Sequence, residues 1–193
     1  MVKLNQIYTR SGDGGKTGLV DGSRVSKSHL LITAIGEIDE TNAAIGVAQA
    51  RLSEEKISLQ LAVIQNDLFD LGADLATPFS AEQNDSPPLR IVPAQVTRLE
   101  QEIDQMNIRL SPLKSFILPA GKYGIAELHL ARTIARRAER TMVRLREANI
   151  NLNPHGLHYI NRLSDYLFVT ARRVATHHGG DILWQPGGIT RPD

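Results

Sequence analysis

The amino-acid sequence predicts an all-α protein, one domain built as an up-and-down bundle of five helices with an ordered glycine-rich loop at its N-terminus. Five separate stretches repeat apolar residues at alternating steps of three and four, the spacing of one helix face. No stretch alternates apolar and polar residues for long enough to require a sheet. Aromatic residues make up only 5 % of the chain, which favours an aliphatic helical core over a β-sandwich.

The first part of the chain, residues 1–27, has no helical period and is rich in glycine, so we expect a loop there that is ordered by itself or by a ligand. The helical bundle is predicted to span 28–180. The stripe of the first helix comprises Leu31, Ile35, Ile38, Asn42, Ile45, Gln49 and Leu52. Ser53-Glu54-Glu55 marks a new N-terminus because acidic residues suit a first turn. The second stripe comprises Ile57, Leu61, Ile64, Leu68, Leu71 and Leu75.

Residues 77–93 are predicted to form a loop, whose proline-rich and polar part is expected to be the most mobile. Pro93 suits the first position of the third helix, and Asn153-Pro154 marks the start of the fifth, which ends near Gly179-Gly180. A connector around 115–121 separates the third helix from the fourth, and 181–193 is a C-terminal tail. The stripes of these three helices are Val96, Leu99, Ile103, Met106 and Leu110, then Leu128, Ala131, Ala135, Ala138, Met142 and Leu145, then Leu157, Ile160, Leu163, Leu167, Ala171 and Val174.

The bulk composition excludes several classes of protein. A chain of 193 residues fits one domain with a full core, and the formal net charge is only +1, which weighs against a nucleic-acid-binding protein. The chain has no cysteine, so disulfides and thiolate chemistry are excluded. The N-terminus has no apolar signal core and no apolar run approaches membrane-spanning length. We therefore expect a cytoplasmic protein that does not act on membranes.

Positive charge is concentrated on the fourth predicted helix. Six arginines lie within residues 132–146, namely Arg132, Arg136, Arg137, Arg140, Arg144 and Arg146. Glu139 is the only acidic residue in that span. Guanidinium groups suit phosphate because they present a rigid fork of donors and stay protonated. A solvated face is the plain alternative, but the local acids are too few to pair these arginines. Asp39, next to the first stripe, is one candidate partner, and a small polyanion is another.

The glycine-rich loop is the second candidate for chemistry. Gly15-Lys16-Thr17 resembles the end of a Walker A motif, but that motif requires glycine where this chain has Arg10. The chain is therefore not a P-loop ATPase. Successive glycines can still present backbone N–H groups to an anion. A flexible N-terminal arm remains the alternative at this point.

The fifth helix and the histidines carry weaker signals. A hydrogen-bonded bundle interior and a functional face remain alternative interpretations of four polar or aromatic residues at helical spacing, Asn161, Asp165, Phe168 and Arg172. The four histidines at 155, 158, 177 and 178 lack a carboxylate at ligand spacing, so we expect no metal site built from side chains. Trp184 is expected to anchor the tail on the bundle.

Taken together, these segments resemble the PduO-type ATP:cob(I)alamin adenosyltransferases. The similarity runs from Ile7 to Pro186, and the joint order of its short motifs is a strong signal. The motifs are Tyr8-Thr9-Arg10-Ser11-Gly12-Asp13, Arg24-Val25-Ser26-Lys27, Gly36-Glu37-Ile38-Asp39-Glu40, Phe116-Ile117-Leu118-Pro119, Leu128-His129-Leu130-Ala131-Arg132-Thr133, Arg136-Arg137-Ala138-Glu139-Arg140 and Asn161-Arg162-Leu163-Ser164-Asp165.

The resemblance implies a ferritin-like five-helix bundle that assembles as a homotrimer with active sites between subunits. It implies transfer of the 5′-deoxyadenosyl group of ATP to the Co(I) centre of a corrinoid, with release of triphosphate. Cob(I)alamin and ATP are then the substrates, and Mg²⁺ is expected to bind through the phosphates. The implied ATP-binding residues are Thr9, Arg10, Ser11, Gly12, Thr17, Gly18, Lys27, Arg136, Arg137, Glu139, Arg140 and Asn161.

Three further roles follow from the resemblance. Asp39 and Arg132 match a pair that forms a salt bridge across the subunit interface and orders the site. Phe116 matches a hydrophobic residue under the corrin ring that helps exclude the lower axial ligand of cobalt. A flavoprotein reductase or an adenosylcobalamin-dependent enzyme is a candidate partner. The chain departs from the family pattern at Ser11, Thr41 and Ala120, and the last of these leaves corrinoid preference open.

Two alternatives belong to other classes. A nucleotide-sensing regulator on the same scaffold would bind ATP without turnover, and an anaerobic assay with reduced cobalamin distinguishes it from the enzyme. A nucleic-acid-binding bundle would use the arginine helix electrostatically, and its binding would fall steeply with salt.

Overall fold

The computed structural model describes residues 8–79 and 87–187. Within these ranges the chain forms two short strands and five α-helices, which confirms the predicted helical bundle. The elements are β1 (Lys16–Gly18), β2 (Arg24–Ser26), α1 (Leu30–Gln49), α2 (Glu55–Leu75), α3 (Pro93–Asn107), α4 (Ile125–Glu147) and α5 (Pro154–Ala175). No helix in the described ranges is both long and apolar enough to cross a membrane.

Successive helices run in alternating directions. Asp74, in the last turn of α2, accepts hydrogen bonds from the Ile91 backbone just before α3 and from Asn153, the N-cap of α5. These three helix termini therefore lie at one end of the bundle, which we call the hairpin end. At the opposite end, Gly124 before α4 lies against Ala48 at the end of α1. We call this the connector end. Around the bundle, α1 packs against α2 and α4, and α5 packs against α4 and α3.

The predicted apolar stripes of α2 and α4 are buried at every position, from Ile57 to Leu75 and from Leu128 to Leu145. Helix α1 buries more than its predicted stripe. Ala34, Thr41 and Ala48 are buried in addition, because α1 lies between α2 and α4 and has to contact both. Leu52, the last residue of its predicted stripe, falls after the end of the helix and is half-buried.

Two buried carboxylates connect α2 to its neighbours. Asp67 accepts hydrogen bonds from the Tyr159 hydroxyl at 2.7 Å and from the Gln95 amide at 2.8 Å, and it pairs with Arg98. Asp74 binds Arg90 at 2.6 Å in addition to its two contacts named above. Each buried charge is satisfied by several donors, as burial of an ion requires. These contacts set the position of α3 against α2 and α5.

The N-terminal segment contains a small β-hairpin that the sequence analysis did not predict. Strands β1 and β2 are antiparallel, with Thr17 opposite Val25, and each is only three residues long. Such strands are too short to show a two-residue period, so no pattern in the sequence predicts them. The turn is fastened to the bundle because the Val20 backbone N–H donates to the Ala76 carbonyl at 3.0 Å.

The predicted loop 77–93 has no helix or strand in its described parts, apart from Pro93, which is the first residue of α3, as predicted. The polar core of that loop, residues 80–86, lies outside the described residues, as do 1–7 and 188–193. The expectation that this loop is the most mobile stretch concerns residues that the structure does not describe.

Candidate active site

The outer face of α4 carries unpaired positive charge. Arg132, Arg136 and Arg140 lie one turn apart, so their Cα atoms span about 12 Å along the helix. Arg136 and Arg140 are exposed, and within the described ranges neither forms an ion pair. Arg140 Nη1 donates to the Arg136 carbonyl at 3.0 Å. A row of exposed guanidinium groups without carboxylate partners is suited to a phosphate chain.

Arg137 points the other way, toward α1. Its guanidinium forms an ion pair with Glu40, and its Nε lies 3.5 Å from Glu37 Oε1. The hydrogen bond that Arg137 donates to the Glu40 carboxylate raises the pKa of Arg137. Within one protomer, the acids that pair with α4 are therefore Glu37 and Glu40. Asp39 forms no such pair with the described residues of the protomer, because the turn of α1 that brings these two glutamates to α4 leaves Asp39 exposed, so its pairing with an α4 arginine stays a prediction.

Glu139 and Asn161 connect α4 to α5. Asn161 Nδ2 donates to Glu139 Oε1 at 2.5 Å. Both side chains line a groove of about 500 Å³ between α3, α4 and α5, together with Val143, Leu157 and Arg146. The groove therefore combines apolar walls with a carboxylate, an amide and a guanidinium group. Such a surface suits a flat heterocycle that carries hydrogen-bonding groups.

Arg132 and Asp39 do not meet within the protomer. Arg132 Cζ lies 5.9 Å from the centre of the Phe168 ring, and the Arg132 Nε is buried without a hydrogen-bond partner among the residues that the structure describes. Burial, and then the neighbouring Arg136, lowers the pKa of Arg132. The exposed Asp39 carboxylate forms no ion pair with any residue that the structure describes. Both groups thus lack a charged partner in a single protomer, and a buried unpaired guanidinium nitrogen is costly.

The glycine-rich loop brings several predicted residues together on the hairpin. Thr9 Oγ1 and Ser11 Oγ are 2.8 Å apart. A Cβ atom at Gly12 would lie 3.1 Å from Lys27 Nζ, so the ammonium group lies close to the loop backbone at a residue without a side chain. Thr17 and Gly18 lie in strand β1.

Arg24 supports this loop, and the sequence analysis did not assign it to the site. Its Nη2 donates to the carbonyls of Ser11 at 2.7 Å and Lys16 at 3.1 Å. The sequence did offer one signal for Arg24: it lies three residues before Lys27, inside a motif that carries the resemblance. Arg10 adopts φ 61°, a left-handed conformation that is rare for a residue with a side chain. The loop is therefore held in one shape by contacts within the hairpin.

The described part of the loop is not bonded to the arginine face of α4 within one protomer. Within the described ranges, no hydrogen bond or ion pair joins residues 8–27 to α4. The cationic groups of Arg10, Lys16 and Lys27 are exposed and have no carboxylate partner there. The described residues thus carry two groups of exposed cations, one on the loop and one on α4, with no hydrogen bond or ion pair between them.

Phe116 lies at the connector end, far along the bundle from the hairpin. Its side chain is 78 % exposed, and its ring centre is 6.0 Å from that of Trp184. The Trp184 backbone N–H donates to the Phe116 carbonyl at 2.7 Å. Trp184 therefore holds the tail against the connector, whereas the sequence analysis expected it to anchor the tail on the bundle. Such an exposed aromatic pair offers an apolar surface for a ligand or another subunit.

Among residues 8–79 and 87–187, no group of three or more His, Cys, Asp or Glu side chains is placed to hold a metal ion. His155 and His158 lie edge to face with ring centres 5.9 Å apart, and His178 stacks on Tyr123 at 4.1 Å. These histidines make ring contacts, and we assign them no part in the candidate site.

The bundle, the arginine face and the loop can be compared with known proteins. The family model for cobalamin adenosyltransferase matches residues 7–174. The chain belongs to this family. A corrinoid adenosyltransferase from Mycobacterium leprae is 48 % identical over 193 residues, covering 97 % of this chain and 99 % of that protein. The family match confirms the resemblance derived from the motifs.

Solved structures of family members have the same fold. A phenylalanine-to-alanine variant of a PduO-type ATP:corrinoid adenosyltransferase from Lactobacillus reuteri, complexed with cobalamin and ATP, superimposes with a TM-score of 0.85 at 36 % identity, covering 93 % of this chain and 99 % of that one. An arginine-to-lysine variant from the same organism, complexed with ATP, gives a TM-score of 0.84 at 36 % identity, covering 93 % of this chain and 100 % of that one.

Proposed function

We propose that this protein transfers the 5′-deoxyadenosyl group of ATP to the Co(I) centre of a corrinoid, forming adenosylcobalamin and releasing triphosphate. It is then a transferase of an alkyl group. The observation that carries the proposal is the row of unpaired guanidinium groups on α4, Arg136 and Arg140 above all, in a chain that belongs to the cobalamin adenosyltransferase family.

The chemistry asks little of side-chain acids or bases. Co(I) attacks the 5′ carbon, a cobalt–carbon bond forms, and the carbon–oxygen bond to the triphosphate breaks with its electron pair leaving on that oxygen. Because cobalt is itself a strong nucleophile, the protein has to align the two centres and stabilise the charge on the leaving group. In our proposal Arg136, Arg140 and Lys27 supply that stabilisation, and the loop of Thr9, Arg10, Ser11 and Gly12 with Thr17 and Gly18 surrounds the phosphates.

We assign Mg²⁺ to the phosphates of ATP. The described residues offer no cluster of three acidic or imidazole ligands, and the exposed cations of the loop and of α4 suit a partly neutralised triphosphate. When bound, the metal adds positive charge near the leaving group. On the adenosine side we propose Asn161, held by Glu139, because both line the groove between α3, α4 and α5.

We further propose that the active site is completed between subunits of a homotrimer. Two observations support this: no hydrogen bond or ion pair joins the described loop to the arginine face in one protomer, and neither Arg132 nor Asp39 has a charged partner among the described residues. The loop of one subunit would then meet α4 of its neighbour, with Asp39 and Arg132 pairing across the interface. We place this assembly in the cytoplasm, with a flavoprotein reductase or an adenosylcobalamin-dependent enzyme as candidate partner.

On the corrin side, we propose that Phe116 forms an apolar floor beneath the ring. An exposed aromatic side chain there would favour cobalt without its lower axial ligand, a state that is easier to reduce to Co(I). Phe116→Ala should impair adenosylation while ATP binding is largely kept. A large loss of ATP affinity would contradict this assignment.

The activity is tested anaerobically with chemically reduced cob(I)alamin and Mg-ATP. We expect the adenosylcobalamin spectrum to appear together with one triphosphate per cobalt. Binding of ATP without any adenosylated product would instead support the sensing regulator. The matched control is the Arg136→Ala variant, which should keep its fold and lose most of the rate.

A further inference from the structure

Arg172, near the end of α5, is a buried arginine that no part of the proposed chemistry uses. Its side chain is only 8 % exposed. Its Nη2 donates to the Ser111 carbonyl at 2.7 Å, and its Nε donates to Asp181 Oδ2 at 3.0 Å. Ser111 lies between the end of α3 and the connector, four residues before the connector begins, and Asp181 opens the C-terminal tail. One guanidinium group therefore holds the chain just before the connector and the beginning of the tail, two segments that are distant in sequence.

From these two points the connector and the tail run side by side. The Leu118 N–H donates to the Ile182 carbonyl at 2.8 Å, and Ile117 and Leu183 form an antiparallel bridge. Trp184 donates to the Phe116 carbonyl, and its own carbonyl accepts from Ser115 Oγ at 2.8 Å. The pairing ends at the tilted ring contact between Phe116 and Trp184.

This arrangement places Phe116 through very few contacts. Its exposed side chain has a ring contact with Trp184 alone among the described residues, and the bundle core does not include it. A pair of extended segments of this length is marginally stable by itself. Its position relative to α5 is then set largely by Arg172, whose planar fork serves two acceptors at once in a way that the single ammonium group of lysine does not reproduce.

We propose that Arg172 is a positioning residue for the corrin side of the active site, acting on Phe116 through the paired connector and tail, with Trp184 as the side chain that supports the Phe116 ring. The inference rests on the proposed function, in which Phe116 disfavours the lower axial ligand of cobalt. It extends that function to the C-terminal tail, which lies beyond the residues that the family model matches.

The test compares cobalamin with cobinamide, a corrinoid that has no lower base to displace. The variants are Arg172→Lys and Trp184→Ala, each checked for an unchanged helical circular-dichroism spectrum. The matched control is Arg173→Lys, because the polar contacts of Arg173 are with Glu54, Thr176 and His177, and none is with the connector or the tail. Three quantities are measured: the ATP dissociation constant, turnover with each corrinoid, and the four-coordinate share. The four-coordinate share is the fraction of cob(II)alamin in the ATP-bound protein that has lost its lower axial ligand, as read from the absorption spectrum.

We expect both variants to keep ATP affinity within about twofold of the unmodified protein. Both should lower the four-coordinate share and the turnover of cobalamin about fivefold or more, whereas the turnover of cobinamide should fall much less. Equal losses with the two corrinoids would show a merely structural role and overturn the inference, as would an unchanged four-coordinate share. If Arg172→Lys unfolds, Trp184→Ala decides alone. An unmodified protein that forms no adenosylcobalamin would instead refute the proposed function.

Discussion

Arg137 on α4 is ion-paired with Glu40 on α1, whereas Arg136, its neighbour in the sequence, is exposed and has no ion pair within the part of the chain that the structure describes. Two adjacent arginines of one motif thus differ in whether a carboxylate of the protomer pairs with them. The carboxylates of Glu37 and Glu40 already neutralise Arg137, and Arg136 remains available to an anion.

The first prediction separates these two arginines. We expect Arg136→Ala to weaken ATP binding at least about tenfold with little change in stability, because a charge-assisted bond to phosphate is lost. Arg137→Ala should lower the free energy of unfolding by about 0.5–1 kcal/mol, as for other partly exposed ion pairs, and affect ATP less. Calorimetric titration with ATP and urea unfolding measure the two effects. Equal losses of ATP affinity would show that Arg137 leaves its glutamates to bind phosphate.

The second prediction concerns the space at Gly12. A methyl group there would lie 3.1 Å from the Lys27 ammonium, a flexible chain end that can move away. We expect Gly12→Ala to leave stability unchanged and to raise the apparent KM for ATP several-fold. Gly14→Ala is the control, because a Cβ there would meet nothing within 4 Å and its φ is not in the left-handed region. Identical kinetics for the two variants would remove Lys27 and the close approach at Gly12 from the site.

The third prediction tests the subunit contact. Asp39→Asn removes the negative charge that we propose to pair with Arg132 of a neighbouring subunit. The variant trimer should be weaker, so on dilution it should begin to dissociate at a higher protein concentration than the unmodified trimer does. Activity should fall as the trimer dissociates. Mass photometry over a dilution series gives the association constant. Asp104→Asn, at an exposed acid on α3 without an ion pair in the described ranges, serves as the control. If the Asp39 variant is as fully active and trimeric as that control, the proposed inter-subunit pair does not exist.

The fourth prediction concerns the buried network on α2. Tyr159→Phe removes the 2.7 Å hydrogen bond to the buried Asp67 and should cost about 1–3 kcal/mol of unfolding free energy. Tyr166→Phe, two turns further along α5, should cost less than about 1 kcal/mol, because its hydroxyl has no hydrogen-bond partner of normal geometry among the described residues. Both are measured by urea unfolding at one protein concentration. The reverse order of the two losses would contradict the assigned network.

The fifth prediction is a pH dependence that arises at His129. Burial, and then the charge of Arg132, lowers its pKa below the ordinary 6.5. Below that pH the unfolded chain binds a proton that the folded protein does not, so the unfolding free energy falls as pH falls, by at most about 1.4 kcal/mol per pH unit for one group. His129→Leu should flatten this slope in urea unfolding between about pH 7.5 and 5. An unchanged slope would mean that His129 titrates alike in both states.

Much of the fold could be predicted because helix periodicity is local. The stripes of α2 and α4 follow directly from residues three and four apart, and Pro93 and Asn153 mark helix starts by their own backbone chemistry. The hairpin escaped prediction because strands of three residues carry no period. The extra burial on α1 escaped because it depends on the two helices that α1 touches.

For the candidate site, the sequence singled out the arginine helix, the glycine-rich loop and Phe116, but their assigned roles stay predictions. Arg24 and Arg172 went unassigned because their partners are backbone carbonyls and a carboxylate that only folding brings near. No spacing along the chain encodes such contacts.

The sequence alone determined the helices, the segregation of charge onto α4 and the family to which the chain belongs, because each of these depends on residue type and on neighbours a few positions away. Only the tertiary structure decided which arginines are already neutralised and which remain free. The reason is that an ion pair depends on how two helices are rotated about their axes when they pack, and that rotation is set by the whole core. Glu40, and not Asp39, meets Arg137 for this reason.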